Sequence, residues 1–153
     1  MAIRNTPHDA ANTAVRAFLT SVGEKKLGKK YDKKRTEWKE DVLNFFKVGD
    51  VIHCAYCNEK TDKPLMEHLK MISRSQCGIH HPSNTVPICS KCNSRERKTI
   101  FWEEHIKSIW KNDEIKIKEK IEEIQKFMNK YGYIRLSENE IVKFKRLKSK
   151  KAK

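Results

Sequence analysis

Two cysteine pairs constrain the fold of this 153-residue chain more than any other feature. Both have the spacing C-x-x-C, and they lie at Cys54–Cys57 and Cys89–Cys92. Two residues between the sulfurs let one tight turn offer both thiols to one ion, so the four predict a tetrahedral structural Zn²⁺ site. Chance spacing and redox use are the alternatives. Residues 58–88 exceed the gap of a short zinc ribbon, so a folded hairpin and loop are expected between the pairs.

A second pattern lies within residues 66–98. An acid–His pair, Glu67-His68, is followed by a Gly-containing loop, by Asn84, and then by C-x-x-C-N, which ends at Asn93 and leads into Lys and Arg residues. Over residues 51–98 this pattern resembles the signature of HNH (ββα-metal) endonucleases. The resemblance implies an α+β fold that is mainly helical overall, in which a zinc-braced ββα-metal centre is flanked by helices.

The resemblance also implies roles for four residues. The His at the position of His68 is the family's general base, which activates water. Glu67 and Asn93 stand where the family holds one divalent metal ion. Asn84 stands where an Asn hydrogen-bonds across the loop and keeps the His strand in place. Their chemistry fits these roles, because an imidazole suits a base at neutral pH and oxygen ligands suit Mg²⁺ or Mn²⁺ rather than zinc.

The chain departs from the family pattern at three points. The acid is Glu67 where Asp is commoner, which lengthens the metal-binding arm by one methylene. The last residue of the motif is Asn93, giving an H-N-N variant. The usual Gly-Gly of the loop is Cys77-Gly78, and we expect this fifth cysteine to be a small, partly buried loop residue rather than a ligand.

His80 and His81 compete with His68 for a functional role. They could contact DNA, serve as alternative metal ligands, or be solvated, and we predict that they are solvated loop residues. For His68 itself, the structural alternative is a surface or capping histidine. The company of Glu67, Asn84 and Asn93 favours catalysis.

The composition points to a polyanionic partner. The net charge is +14 and the isoelectric point is near 9.6, which indicates nucleic acid, although ribosomal or membrane-surface proteins share such a charge. With 37% hydrophobic and 35% charged residues, the core is expected to be modest and zinc to carry part of the stability. No apolar run approaches the length of a membrane span and no signal-peptide core is seen, so a soluble, cytoplasmic protein without membrane contact is predicted.

The flanks of the motif are predicted to be helical. Residues 1–50 form a basic N-terminal extension, with one helix that Thr6-Pro7 begins and Gly23 ends, and a second that Gly49-Asp50 closes. Residues 51–110 form the nuclease core. Its two strands are predicted at 51–54 and 64–67, and its helix begins around 90–93.

Residues 111–153 hold a long helix and a basic tail. Ile117, Ile121, Ile124, Met128 and Tyr131 recur at helical spacing, which predicts one packed face. Core packing explains this stripe best, but it could also be the seam of a homodimer. Gly132 is expected to stop the helix, and residues 137–140 (S-E-N-E) form a capping box for a last short helix. Residues 143–153 contain no acid, which indicates a nucleic-acid-binding tail or a disordered, solvated end.

The sequence therefore predicts a divalent-metal-dependent DNA endonuclease of the restriction or phage type, acting on double-stranded DNA and forming a possible homodimer. A non-catalytic, zinc-stabilised nucleic-acid-binding module is the alternative, and a basic ribosomal scaffold is a third. A binding module needs the cysteines but has no use for the pair Glu67-His68. The residues predicted to contact nucleic acid are Lys29, Lys30, Arg74, Arg95, Arg97 and Lys98.

Overall fold

The computed structural model describes residues 7–26, 35–73, 75–94, 96–133 and 135–142. Its α-helices are α1 (Pro7–Lys26), α2 (Arg35–Phe45), α3 (Trp102–Trp110) and α4 (Glu114–Lys130), and residues 138–142 are also helical. Its strands are β1 (Lys47–Val48), β2 (Val51–Ile52), β3 (Leu65–His68) and β4 (Thr85–Ile88), with 3₁₀ turns at Pro82–Asn84 and Glu96–Lys98. The described part of the chain is α+β and mainly helical, with two small antiparallel sheets.

The strands pair differently from the sequence prediction. β1 and β2 form a hairpin around Gly49-Asp50, so that dipeptide makes a turn and does not close α2, which ends at Phe45. β3 pairs with β4, with His68 opposite Thr85. Strands lie at both predicted positions, with β2 inside 51–54 and β3 shifted by one residue from 64–67, but residues 51–54 do not pair with β3. The sequence did not predict β4, because Pro87 argues against a strand. In the structure the Pro87 carbonyl accepts a hydrogen bond from the Ala55 amide (2.9 Å), and Pro87 has no amide hydrogen to leave unpaired.

The predicted helix around residues 90–93 is also absent. Residues 90–92 form a turn that carries the second cysteine pair, and a 3₁₀ turn follows at Glu96–Lys98 before α3 begins at Trp102. A tight turn is what two neighbouring thiols need in order to face one point, and it precludes a helix there.

The larger hydrophobic core contains side chains from all three predicted segments, 1–50, 51–110 and 111–153. Trp38 and Val42 of α2, Val86 and Ile88 of β4, and Ile124 and Phe127 of α4 are buried in it, together with Cys54, Cys89 and Cys92. The predicted stripe on α4 faces this core: Ile124 and Met128 are buried, and Ile117, Ile121 and Tyr131 pack against it. The stripe is thus accounted for within one chain.

A second, smaller core joins α1 to the loop after β3. Val15 and Leu19 of α1 pack with Ile79 and Leu136. Gly23 does not end α1, which continues to Lys26. A glycine is required there because a Cβ on Gly23 would lie 2.1 Å from the carbonyl oxygen of His80.

The ends of the C-terminal helices follow the sequence signals. Gly132, at φ +63°, stops α4, and Tyr133 N–H donates to the carbonyl of Met128 (2.8 Å), as in a Schellman motif. The capping box is formed between Ser137 and Glu140: the Ser137 amide donates to Glu140 Oε2 (2.7 Å), and the Glu140 amide donates to Ser137 Oγ (3.3 Å). Both predictions are confirmed.

Several predictions fall outside the described residues. These are the cap at Thr6, the basic stretch with Lys29 and Lys30, the residues Arg74 and Arg95, and the tail 143–153. Among the described helices, none is long and apolar enough to cross a membrane.

Candidate metal centre and active site

The two cysteine pairs are presented by neighbouring turns. The first turn follows β2, where the Cys54 amide donates to Glu59 (2.8 Å) and the Asn58 amide donates back to Cys54 (2.9 Å). The second turn directly follows β4. The hydrogen bond from Ala55 to Pro87 ties the first turn to β4 (2.9 Å). Local turn chemistry therefore makes each thiol pair, and β4 brings the two pairs together.

The four sulfurs form a cluster of the size that zinc requires. All lie within 4.8 Å of one another, and Cys57 Sγ and Cys89 Sγ are 3.7 Å apart. Tetrahedral zinc with Zn–S bonds of about 2.3 Å places its sulfurs roughly 3.8 Å apart. Thiolates suit zinc, so the cluster confirms a site at which Cys54, Cys57, Cys89 and Cys92 could hold one ion.

The surroundings of the thiols favour a cation. Hydrogen bonds from Cys57 and Cys92 lower the pKa of the Cys54 thiol, and the same contact with Cys54 raises the pKa of Cys92. A negative charge on one thiolate would oppose the ionisation of the next thiol. A divalent cation would remove that opposition for all four. Cys77 lies outside this cluster, half-buried at φ +51°, as expected of a loop residue.

Glu67 lies near the end of β3 and is buried. Its side chain is 11% exposed, and its Oε1 has no hydrogen-bond partner. Burial raises the pKa of this carboxyl, while the charges of Arg97 and Lys98 act in the opposite direction. Native proteins rarely leave a buried carboxylate oxygen without a partner, so this atom fits a ligand that is not a protein side chain.

Arg97 is a structural residue, which corrects its predicted contact with DNA. The side chain is fully buried, and its Nε lies 3.9 Å from Glu67 Oε1. Its guanidinium donates to the Tyr56 hydroxyl (2.7 and 3.1 Å) and to the carbonyls of His68, Leu69 and Ile100 (each 3.1 Å). A group that holds the end of β3 from inside the protein cannot also meet a phosphate. The neighbouring Lys98 is exposed, and its positive charge acts to lower the pKa of Glu67.

His68, at the end of β3, is hydrogen-bonded to His80. His68 Nε2 and His80 Nδ1 are 3.0 Å apart, so one nitrogen donates and the other accepts. Both rings are half-buried, and His80 also meets the indole of Trp38 edge-on, at 5.2 Å between centroids. The prediction that His80 is simply solvated was therefore wrong. The predicted hydrogen bonds of Asn84 across the loop could have indicated the position of His80. A loop that returns to β3 at Asn84 brings its last residues near His68.

His81 is not solvated either. It is 3% exposed and caps the 3₁₀ turn at Pro82–Asn84, where its Nδ1 accepts from the Ser83 amide (3.2 Å) and lies 2.7 Å from the Ser83 hydroxyl. Burial, with a smaller effect from His80, lowers the pKa of His81 to about 4. The two loop histidines therefore differ: His81 holds the turn, and His80 faces the site.

Asn84 makes the hydrogen bonds that the resemblance implies. Its Oδ1 accepts from the Lys70 amide (2.8 Å), and its Nδ2 donates to the carbonyls of Lys70 (2.9 Å) and Ile79 (2.8 Å). Its own carbonyl accepts from the Leu69 amide (2.8 Å). A single buried amide thus ties both ends of the loop behind His68.

Asn93 is exposed on the turn after Cys92, where its amide donates to Ser90 (3.3 Å). Glu67 and Asn93 were predicted to share a divalent ion. The structure surrounds Glu67 with Arg97 and Lys98, and Asn93 is not among its described contacts. The oxygen donors of Glu67 and Asn93 suit Mg²⁺ or Mn²⁺, and Glu67 Oε1, which is ion-paired with Arg97 but accepts no hydrogen bond, is the atom that could take such an ion.

Comparisons with protein families, with curated proteins and with solved structures found no match for this chain.

Proposed function

We propose that the chain is a divalent-metal-dependent DNA endonuclease of the HNH (ββα-metal) type, acting in a restriction or phage system. One observation carries the proposal. At the end of β3, the buried carboxylate of Glu67 has an oxygen without a hydrogen-bond partner. It directly precedes a half-buried histidine, and the end of this strand is held by Asn84, through Lys70, and by Arg97, through the His68 carbonyl. Structural sites satisfy their buried oxygens, whereas reactive sites reserve them for ligands.

His68 would act as the general base. It would take a proton from the attacking water, and the resulting hydroxide would displace the 3′ oxygen of the scissile phosphodiester, leaving a 5′-phosphate and a 3′-hydroxyl. Glu67 and Asn93 would hold Mg²⁺ or Mn²⁺, which supplies positive charge for the phosphate and the leaving oxygen when bound. Lys98, which is exposed near Glu67, would contact the DNA backbone.

Double-stranded DNA is the proposed substrate because of the charge. A net charge of +14 on 153 residues favours a polyanion, and phosphate contacts supply most of the non-specific affinity for DNA. A single centre of this kind cuts one strand per engagement, so a break in both strands would need two. The homodimer stays a prediction, and in the monomer the α4 stripe already packs in or against the larger core.

Plasmid cleavage tests the proposal. We expect supercoiled DNA to be cut when Mg²⁺ or Mn²⁺ is added and to stay intact without them. His68→Ala should lower the cleavage rate by about 10²–10⁴-fold, the usual contribution of a general base, and leave DNA affinity nearly unchanged. His53→Ala, with its zinc content checked, is the matched control, because His53 is a half-buried histidine beside the first cysteine pair whose Nδ1 lies 2.9 Å from the Asn58 carbonyl oxygen.

Two results would contradict the proposal. Wild-type cleavage by His68→Ala would show that the base has been misassigned. Salt-sensitive DNA binding without cleavage in either metal would make the chain the non-catalytic, zinc-stabilised binding module.

A further inference from the structure

We infer that His80 is a positioning residue for His68, which selects the nitrogen of His68 that receives the proton of the water. The inference rests on the proposed function and deepens it. The observation behind it is the direct hydrogen bond between the two rings, with 3.0 Å between His68 Nε2 and His80 Nδ1.

The contact assigns the proton positions if His68 is a base. A neutral imidazole carries one N–H and one acceptor nitrogen. To take a proton at Nδ1, His68 must begin with its hydrogen on Nε2, and that N–H donates to His80 Nδ1. His80 must then carry its own hydrogen on Nε2.

The same hydrogen bond would assist the reaction. When the water proton reaches His68 Nδ1, the ring becomes a cation and keeps its Nε2–H. The bond to His80 is then charge-assisted, and such bonds are roughly twice as strong as neutral ones. His80 would therefore stabilise the charge that develops on the base, in addition to orienting its ring.

His80 is well placed to impose an orientation because three elements hold it. The ring meets Trp38 of α2 edge-on, and the rings of His68 and His80 lie 5.2 Å apart at 56°. The backbone of His80 lies against α1, where only a glycine fits at position 23. The preceding residue, Ile79, is 1% exposed in the smaller core. The N-terminal helices thus contribute to the site through His80.

Two substitutions at His80 test the inference. His80→Phe keeps a ring against Trp38 and removes the acceptor. His80→Asn keeps an acceptor, since Oδ1 of Asn is attached to Cγ as Nδ1 of His is. We expect kcat for plasmid cleavage to fall by about 10–100-fold in His80→Phe, a size typical of residues that orient a functional histidine. His80→Asn should recover most of it, with KM unchanged in both variants.

A spectroscopic measurement on the wild-type chain tests the contact without activity. In ¹⁵N-labelled protein, a nitrogen–nitrogen coupling across the hydrogen bond should join His68 and His80. Its absence would overturn the inference, as would a wild-type kcat in His80→Phe, or equal losses in the Phe and Asn variants. A wild-type chain that shows the coupling but cuts no DNA would overturn the proposed function, and with it the role of His80.

Discussion

Arg97 and Lys98 are adjacent basic residues to which the fold gives opposite surroundings. Both were predicted to contact DNA, because basic residues after C-x-x-C-N are typical of the HNH pattern. Their burial depends on which side of a 3₁₀ turn faces β3, and one sequence does not contain that information. Arg97 is buried against Tyr56 and the end of β3, whereas Lys98 is exposed.

Matched alanine substitutions should separate these two residues. Arg97→Ala removes the donors to the Tyr56 hydroxyl and to three carbonyls and leaves Glu67 without its counter-charge, so we expect the free energy of unfolding to fall by about 3–5 kcal/mol. Lys98→Ala should change it by less than about 0.5 kcal/mol and should reduce the log–log salt slope of DNA binding by about one. Urea unfolding and salt titrations of DNA affinity measure the two effects. Equal stability losses would contradict the assignment.

The buried His81 predicts a pH effect on stability. Its pKa is lowered from 6.5 to about 4 in the folded chain, so between these values the unfolded chain binds more protons than the folded chain. Stability should therefore fall as pH decreases, by about 2 kcal/mol from His81 alone between about pH 7 and pH 5. His81→Asn keeps a capping acceptor but cannot titrate.

The difference in unfolding free energy between wild type and His81→Asn isolates this effect from the titration of the cysteines. As the pH is lowered, the unfolding free energy of wild type should fall relative to that of His81→Asn. A difference that stays constant with pH would show that His81 is not held neutral by burial.

At the scale of elements, local signals predicted more than pairing signals did. The cysteine turns, the end of α4 at Gly132 and the capping box of Ser137 depend on residues close in sequence, and each was predicted correctly. The partner of β3 was not predicted, because Pro87 argues against a strand at β4 and because strand pairing depends on contacts across a long loop. His80 was missed for the same reason: its neighbours Trp38 and Gly23 lie far from it in sequence.

Gly23 offers a test of how closely α1 approaches the site. In an open helix position, alanine would stabilise a glycine site by about 1 kcal/mol. Here the new Cβ would lie 2.1 Å from the carbonyl oxygen of His80, so the helix or the loop must move. We expect Gly23→Ala to lower the free energy of unfolding by about 1–3 kcal/mol, the usual cost of overpacking.

Ser21→Ala is the control, because Ser21 is exposed on the same helix and should change stability by less than about 0.5 kcal/mol. Urea unfolding of both variants gives the comparison. A gain in stability for Gly23→Ala would mean that α1 does not approach the backbone of His80 this closely.

At the scale of the whole molecule, the cysteine cluster lies inside the larger core. Cys54, Cys89 and Cys92 are buried among the side chains of α2, β4 and α4. The site at the end of β3 depends on the same arrangement, since β4 both pairs with β3 and leads into the second cysteine turn. The metal centre and the candidate active site are thus two ends of one hairpin, and loss of the first should disorder the second.

Metal removal should therefore unfold the chain. Zinc binding to four thiolates contributes about 10–16 kcal/mol in small zinc domains, whereas the stability of a whole domain is about 5–15 kcal/mol. We expect one zinc per chain by metal analysis, and loss of the cooperative thermal transition after treatment with a chelator under reducing conditions. Cys92→Ser should lose the zinc. Cys77→Ser, which changes the cysteine outside the cluster, should keep both the zinc and the transition. A zinc-free chain that unfolds cooperatively at the same temperature would show that the four thiols do not carry the stability of the larger core.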